Sequence, residues 1–122
     1  MRVKVIKKDG KPVAVRAAEV NGRFINIALK DEPNNLDWKK ANDKGIPSSS
    51  EWLAISENFE AVNKTLKRAG GEPLKDEYYW SSSEYYYGSV FSAWVVGPSD
   101  GNMYYNDKDS SYRVRCLFIE EN

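Results

Sequence analysis

The sequence predicts an α+β domain: an N-terminal β meander, two helices, then a mostly antiparallel sheet with loops at the C-terminal end. Three observations carry this. Valine and isoleucine recur at period two up to Leu29, with breaks at Asp9-Gly10 and Asn21-Gly22. One apolar stripe then steps by three and four from Trp52 to Leu66. Beyond it, short strand-like pieces alternate with turn residues, and all eight tyrosines fall between Tyr78 and Tyr112.

The meander is written in Val3 and Val5, in Val13 and Val15, and in Ile25, Ile27 and Leu29, the spacing of half-buried strands. Asp-Gly and Asn-Gly supply the positive φ of tight hairpins. The basic residues Arg2, Lys4, Lys7, Lys8, Lys11 and Arg16 alternate with the valines, as the solvated face of a strand pair does. A short first helix follows, capped at Asn34 or Asn35, carrying Leu36, Trp38 and Ala41 and stopping at Gly45.

The second helix opens at Pro47 and Ser48, where Glu51 completes a capping box,. Trp52, Ile55, Phe59, Val62 and Leu66 place one apolar stripe on one face,. Gly70-Gly71 and Pro73 end it,. The stripe reads as core rather than site. Strands are then expected at 78–80, 93–96, 103–105 and 113–119, separated at Gly88, Gly97-Pro98 and Asp100-Gly101,.

At 122 residues the chain reads as one domain, 1–122, burying roughly two-thirds of its unfolded surface. Its 41% hydrophobic and 30% charged content is that of a globular protein,. No apolar run approaches the ~20 residues of a membrane span, so no membrane insertion is expected. The start, MRVKVIKKDG, lacks the apolar stretch of a signal peptide,. Formal net charge is zero and the Tyr-rich segment is slightly acidic, which argues against a nucleic-acid partner. A single cysteine rules out an internal disulfide,.

Catalysis is not expected. With no histidine, the usual general base and most zinc or triad arrangements are missing. Cys116 lies in the apolar run 114–119 and reads as a buried strand thiol without the electropositive setting of a reactive one,. Glu84 follows three serines with no base to activate a hydroxyl,. No cofactor is implied. Glu32-Pro33-Asn34 spells the calcium and mannose tripeptide of sugar-binding lectins, but it precedes the first helix, where Asn34 serves better as a cap,. Asp100, Asn102, Asp107 and Asp109 offer oxygens for Ca²⁺,, yet turn chemistry explains them equally well.

What remains is the segment YYWSSSEYYYGSVFSAWVVGPSDGNMYYNDKDSSYRVR. Tyrosine supplies wide amphipathic contact with few rotors, and serine, glycine and asparagine adapt its hydrogen bonding. That is the composition of a binding surface.

YYWSSSEY, Ala93-Trp94, SDGN at 99–102 and YRVR at 112–115, with the DW and IPSSSEW patterns of residues 37–52, resemble the variable proteins of diversity-generating retroelements. The matches extend over residues 37–115, and the variable region over about 80–115. The resemblance implies a C-type-lectin-like fold and a hypervariable, non-enzymatic surface. An error-prone reverse transcriptase would rewrite its adenine-containing codons. The ligand-facing variable positions it implies are Tyr86, Tyr87, Gly88, Ser89, Ser92, Val95, Gly97, Tyr104, Tyr105, Asn106, Asp107, Asp109, Ser110 and Tyr112. Trp80, Ser81, Ser82, Ser83, Glu84, Trp94, Gly101, Lys108 and 113–115 would be framework. Gly97-Pro98 and Cys116 depart from the family pattern.

The partner implied is a protein or glycan on a target cell surface, met at a virion or cell surface as a phage receptor-binding component or a bacterial adhesin. The domain would stand as a homo-trimer or attached to a larger assembly. Two alternatives stay open: a fixed-specificity assembly subunit, and a calcium-dependent sugar lectin.

Overall fold

The computed structural model describes residues 1–86 and 91–120. Strands β1 (Lys4–Lys8), β2 (Lys11–Val20) and β3 (Arg23–Ala28) form an antiparallel meander in the order β1-β2-β3. Asp9 and Gly10 have φ of 53° and 76°, Asn21 and Gly22 of 52° and 77°. Positive φ at both central residues is the two-residue turn whose twist matches the strands. The register between β2 and β3 skips at Ala17, between Arg16 and Ala18.

Helix α1 (Trp38–Asp43) is capped by Asp37, whose carboxylate accepts from the Lys40 amide at 3.0 Å. This corrects the cap expected at Asn34 or Asn35. The cause is Leu36, which exchanges two backbone hydrogen bonds with Tyr112 at 3.1 Å. The chain is thereby held extended past Asn35. Gly45, at φ 85°, follows the helix end.

Helix α2 (Ser49–Glu57) carries the expected capping box. The stripe from Trp52 to Leu66 does not lie on one continuous helix, however. Asn58 breaks it at φ −111°, ψ 19°, and α3 (Phe59–Arg68) resumes behind it. The Asn58 amide donates to the Ala17 carbonyl at 3.1 Å, satisfying a bulged residue that the β2–β3 ladder passes over. After α3 the backbone closes on β3: a Cβ on Gly71 would stand 2.6 Å from the Leu29 oxygen.

The second sheet contains β4 (Tyr79–Tyr85), β5 (Ser92–Gly97) and β6 (Asn102–Asp107), antiparallel with β5 in the middle. The strand expected at 113–119 is absent among the described residues. That segment threads between the sheets and makes single bridges, Arg113 to Tyr79 and Leu117 to Ile27. Its carbonyls at Arg113, Val114 and Cys116 accept from Trp80, Glu32 and Ala28 at 2.9–3.0 Å. Alternation is present, but successive residues bond to different neighbours.

Two apolar clusters result. Val15, Ile25, Ile27, Trp52, Ile55, Val62, Leu66, Tyr79 and Val96 join the meander to the helices and the second sheet. Trp80, Ala93, Val95, Val114, Ala41 and Ile46 pack beneath the opposite face of that sheet. The α+β class and the order meander, helices, antiparallel sheet are as the sequence predicts.

Candidate functional site

The strand pairing sorts the tyrosines. Opposite residues share a face in an antiparallel pair, so Trp80, Val95 and Tyr104 lie on one side of the second sheet. Trp94 and Tyr105 lie on the other. On the first side Tyr78 meets Tyr104 edge-on at 5.3 Å, and Trp80 meets Tyr112 at 4.9 Å. The Asn106 amide donates to the Tyr112 hydroxyl at 2.8 Å. On the second side Tyr85 and Tyr105 stack at 3.9 Å with 8° between planes, and Trp94 presents its edge to both.

The surface stands on an inner scaffold. The Trp80 indole donates to the Leu36 carbonyl at 2.8 Å, and the Trp52 indole to the Trp80 carbonyl at 3.1 Å. The Ser81 hydroxyl donates to the Trp94 carbonyl at 2.8 Å, while the Ser83 hydroxyl accepts from the Ser49 amide at 2.9 Å. The triple serine thus ties the start of α2 to β4. The Trp38 indole donates to the Ser81 carbonyl at 2.9 Å. Lys108 lies over the Trp38 ring at 4.4 Å and donates to Glu84 at 2.7 Å. That hydrogen bond holds the Glu84 carboxyl below the usual carboxylate range. Glu84 in turn raises the pKa of the Tyr86 hydroxyl.

Of the positions expected to face a ligand, Tyr86, Tyr104 and Tyr105 are 68%, 61% and 53% exposed. Asn106, Asp107 and Asp109 are exposed too, and Ser110 and Tyr112 half-buried. Ser92, Val95 and Gly97 are buried, which corrects their placement on the surface. They sit on the central strand, covered on both sides by its neighbours and by the two cores. Tyr87, Gly88 and Ser89 lie outside the described residues. Phe91 is 71% exposed and was not anticipated, although its place within the Tyr-rich segment was a signal for it.

The residue the sequence hid is Asp31, one position before the Glu32-Pro33-Asn34 tripeptide. It accepts from Arg115 at 2.7 Å, from Arg113 at 3.5 Å and from the Tyr79 hydroxyl at 3.0 Å. Burial pushes the Tyr79 hydroxyl pKa well up. Arg115 also donates to the carbonyls of Ala28 and Glu72 at 3.0 and 2.9 Å. Arg113 pairs with Glu77 as well. No local pattern announces a partner 84 residues away.

Glu32 bonds Lys44 at 3.0 Å and lies 3.7 Å from the Cys116 sulfur. Cys116 is half-buried and outside any strand, which corrects the buried strand thiol. Burial and then Glu32 push its pKa up, the reverse of an activated thiol. Among the described residues no three His, Cys, Asp or Glu side chains are placed to hold a metal, and no helix is long and apolar enough to cross a membrane. Asp100 spends its carboxylate on the Asn102 amide and side chain at 3.0 and 2.9 Å.

No family model matches the sequence, and no curated protein matches it. The fold is similar to part of the solved structure of the adhesin InvE from Yersinia pseudotuberculosis. The TM-score is 0.52 at 21% identity, covering 96% of this chain and 30% of that one. The chain therefore spans less than a third of that adhesin's length, and at this identity the likeness is one of fold.

Proposed function

We propose that this domain is a non-catalytic, adhesin-like binding module of C-type-lectin-like fold that meets a protein or glycan on a target surface. The exposed tyrosines of the second sheet are its contact surface. One observation carries the reading: Tyr86, Tyr104 and Tyr105 stand exposed, the last two on either side of the edge strand β6, around a scaffold in which the Trp80 indole and the Ser81 and Ser83 hydroxyls are already hydrogen-bonded internally. Exposed aromatic groups on a rigid support are what interface hot spots are made of. The adhesin whose fold this chain shares fits a surface location. Diversification by a retroelement is the finer form of the reading. It would act on Tyr86, Tyr104, Tyr105, Asn106, Asp107 and Asp109, whose side chains project outward.

Binding of the labelled, tetramerised domain to panels of cells and arrayed glycans tests the module, with Y86S/Y104S/Y105S as control. Capture by some target, lost in the triple variant while its thermal melt stays cooperative, is the expected result. No capture, or capture indifferent to the three substitutions, overturns the proposal. Sequencing the locus in related isolates tests the finer form. Changes confined to the outward positions, beside a reverse-transcriptase gene, are expected. Evenly scattered changes leave a binding surface of fixed specificity.

A further inference from the structure

We infer that the partner of this surface is a protein segment bearing arginine or lysine, not an acidic glycan or acidic peptide; this rests on the proposed binding role of the face. Two independent features point the same way. The first is the set of exposed rings, Tyr86, Tyr104 and Tyr105, whose faces carry the negative quadrupole that attracts a guanidinium or ammonium. The second is the charge around them. Between Glu72 and Ser110 the chain has seven carboxylates against two lysines, whereas residues 1–30 have eight cations against two carboxylates. A formal net charge of zero conceals this separation.

The placement sharpens the point. Asp107 and Asp109 lie at one end of β6, and Asp100 lies just before its other end. A Cβ on Gly97 would stand 3.4 Å from the Asp100 carboxylate and 3.6 Å from the Tyr78 ring, and Tyr78 meets Tyr104 edge-on. Asp76, Asp100, Asp107 and Asp109 are all exposed, and no ion pair involves any of them among the described residues. Lys108, which sits between two of them in sequence, turns its ammonium to Glu84 and Trp38 instead. β6 is the edge strand of its sheet, with Tyr104 and Tyr105 on opposite sides of it, so a segment laid along that edge would bring cationic side chains to a ring on either side and to carboxylates at both ends. An anionic ligand would meet four like charges there.

Titration of the ¹⁵N-labelled domain with the peptide Arg-Gly-Arg-Gly-Arg, with Glu-Gly-Glu-Gly-Glu and with 3′-sialyllactose tests this. The arginine peptide should move the amides of residues 102–109 saturably, and D107N/D109N should weaken its binding about fivefold. Binding should also fall as salt is raised, while E57Q/E60Q, on the exposed surface of the helices, should leave it unchanged. Binding of the acidic peptide or the sialylated sugar to the same amides overturns the inference but leaves the surface a binding face. Equal loss in E57Q/E60Q, or indifference to D107N/D109N, reduces the effect to general charge attraction and overturns it as well. If no probe moves these amides the inference falls, and capture of cells by the tetramer decides separately whether the binding role falls with it.

Discussion

Arg115 has no solvent-exposed surface, and Asp31 is the counter-charge that makes its burial tolerable. Breaking a buried pair from one side costs about 3–5 kcal/mol, because the surviving charge stays desolvated. D31A is therefore expected to remove much of the stability of a domain that has about 5–15 kcal/mol in all. A urea midpoint that barely moves would contradict this. Y79F removes only the hydroxyl, which accepts from the Lys75 amide at 2.9 Å and donates to Asp31; a cost of about 1–3 kcal/mol is expected by the same measurement. Glu84 contributes to acid sensitivity, as do Glu77 and Glu120, whose carboxyls Arg113 and Arg16 also hold below the usual range. The Glu84 carboxyl is held below the ordinary 4.5 by Lys108, so below that value the unfolded chain takes up a proton that the folded one refuses. Stability contributed by the pair is present above the ordinary carboxyl value and is lost as pH falls through the depressed one. E84Q should flatten that part of the acid limb, seen by comparing urea midpoints at neutral pH and below the carboxyl range. At this scale the sequence was half legible. It marked 113–115 as framework, but Asp31 lay unremarked beside a more conspicuous tripeptide.

Asn58 shows how a tertiary demand overrides an element. Periodicity from Trp52 to Leu66 favours one long helix, and Trp52, Ile55, Val62 and Leu66 are all fully buried. The bulge at Ala17 nevertheless leaves a carbonyl off the ladder, and the Asn58 side chain meets it at 3.1 Å. N58A strands that acceptor, and a loss of about 1–3 kcal/mol is expected in chemical denaturation. No loss would mean that water serves the carbonyl equally well. The hairpins were legible because Asp-Gly and Asn-Gly act through their own backbone, and the α2 start because its capping box is complete within four residues. The segment 113–119 was not. Its alternation is that of a strand, but whether a strand forms depends on a continuous neighbour, and here the neighbours are Trp80, Glu32, Ala28 and Gly45 in turn.

In the whole molecule the proposed contact surface and the stabilising core are separable, with β5 in the core. Trp80 is buried, hydrogen-bonded to Leu36 and packed against Tyr112, so W80A should cost about 3–5 kcal/mol. Tyr86 mostly faces water, and Y86S should stay within about 0.5 kcal/mol; Y104S also loses the edge contact with Tyr78, about 0.5–1.5 kcal/mol. Tyr105 is intermediate: its stack on Tyr85 adds about 0.5–1.5 kcal/mol beyond burial. Polar or charged residues at Val95 should rank with W80A, because that side chain faces Trp80 and Val114 in the second core. A saturation library sorted for folded protein reads this order directly. Broad tolerance at 86, 104, 106, 107 and 109, with intolerance at 80, 92 and 95, is the expected pattern. Tolerance at 95 equal to that at 104 would mean that the sheet carries no division between support and display, and the binding proposal would lose its structural basis.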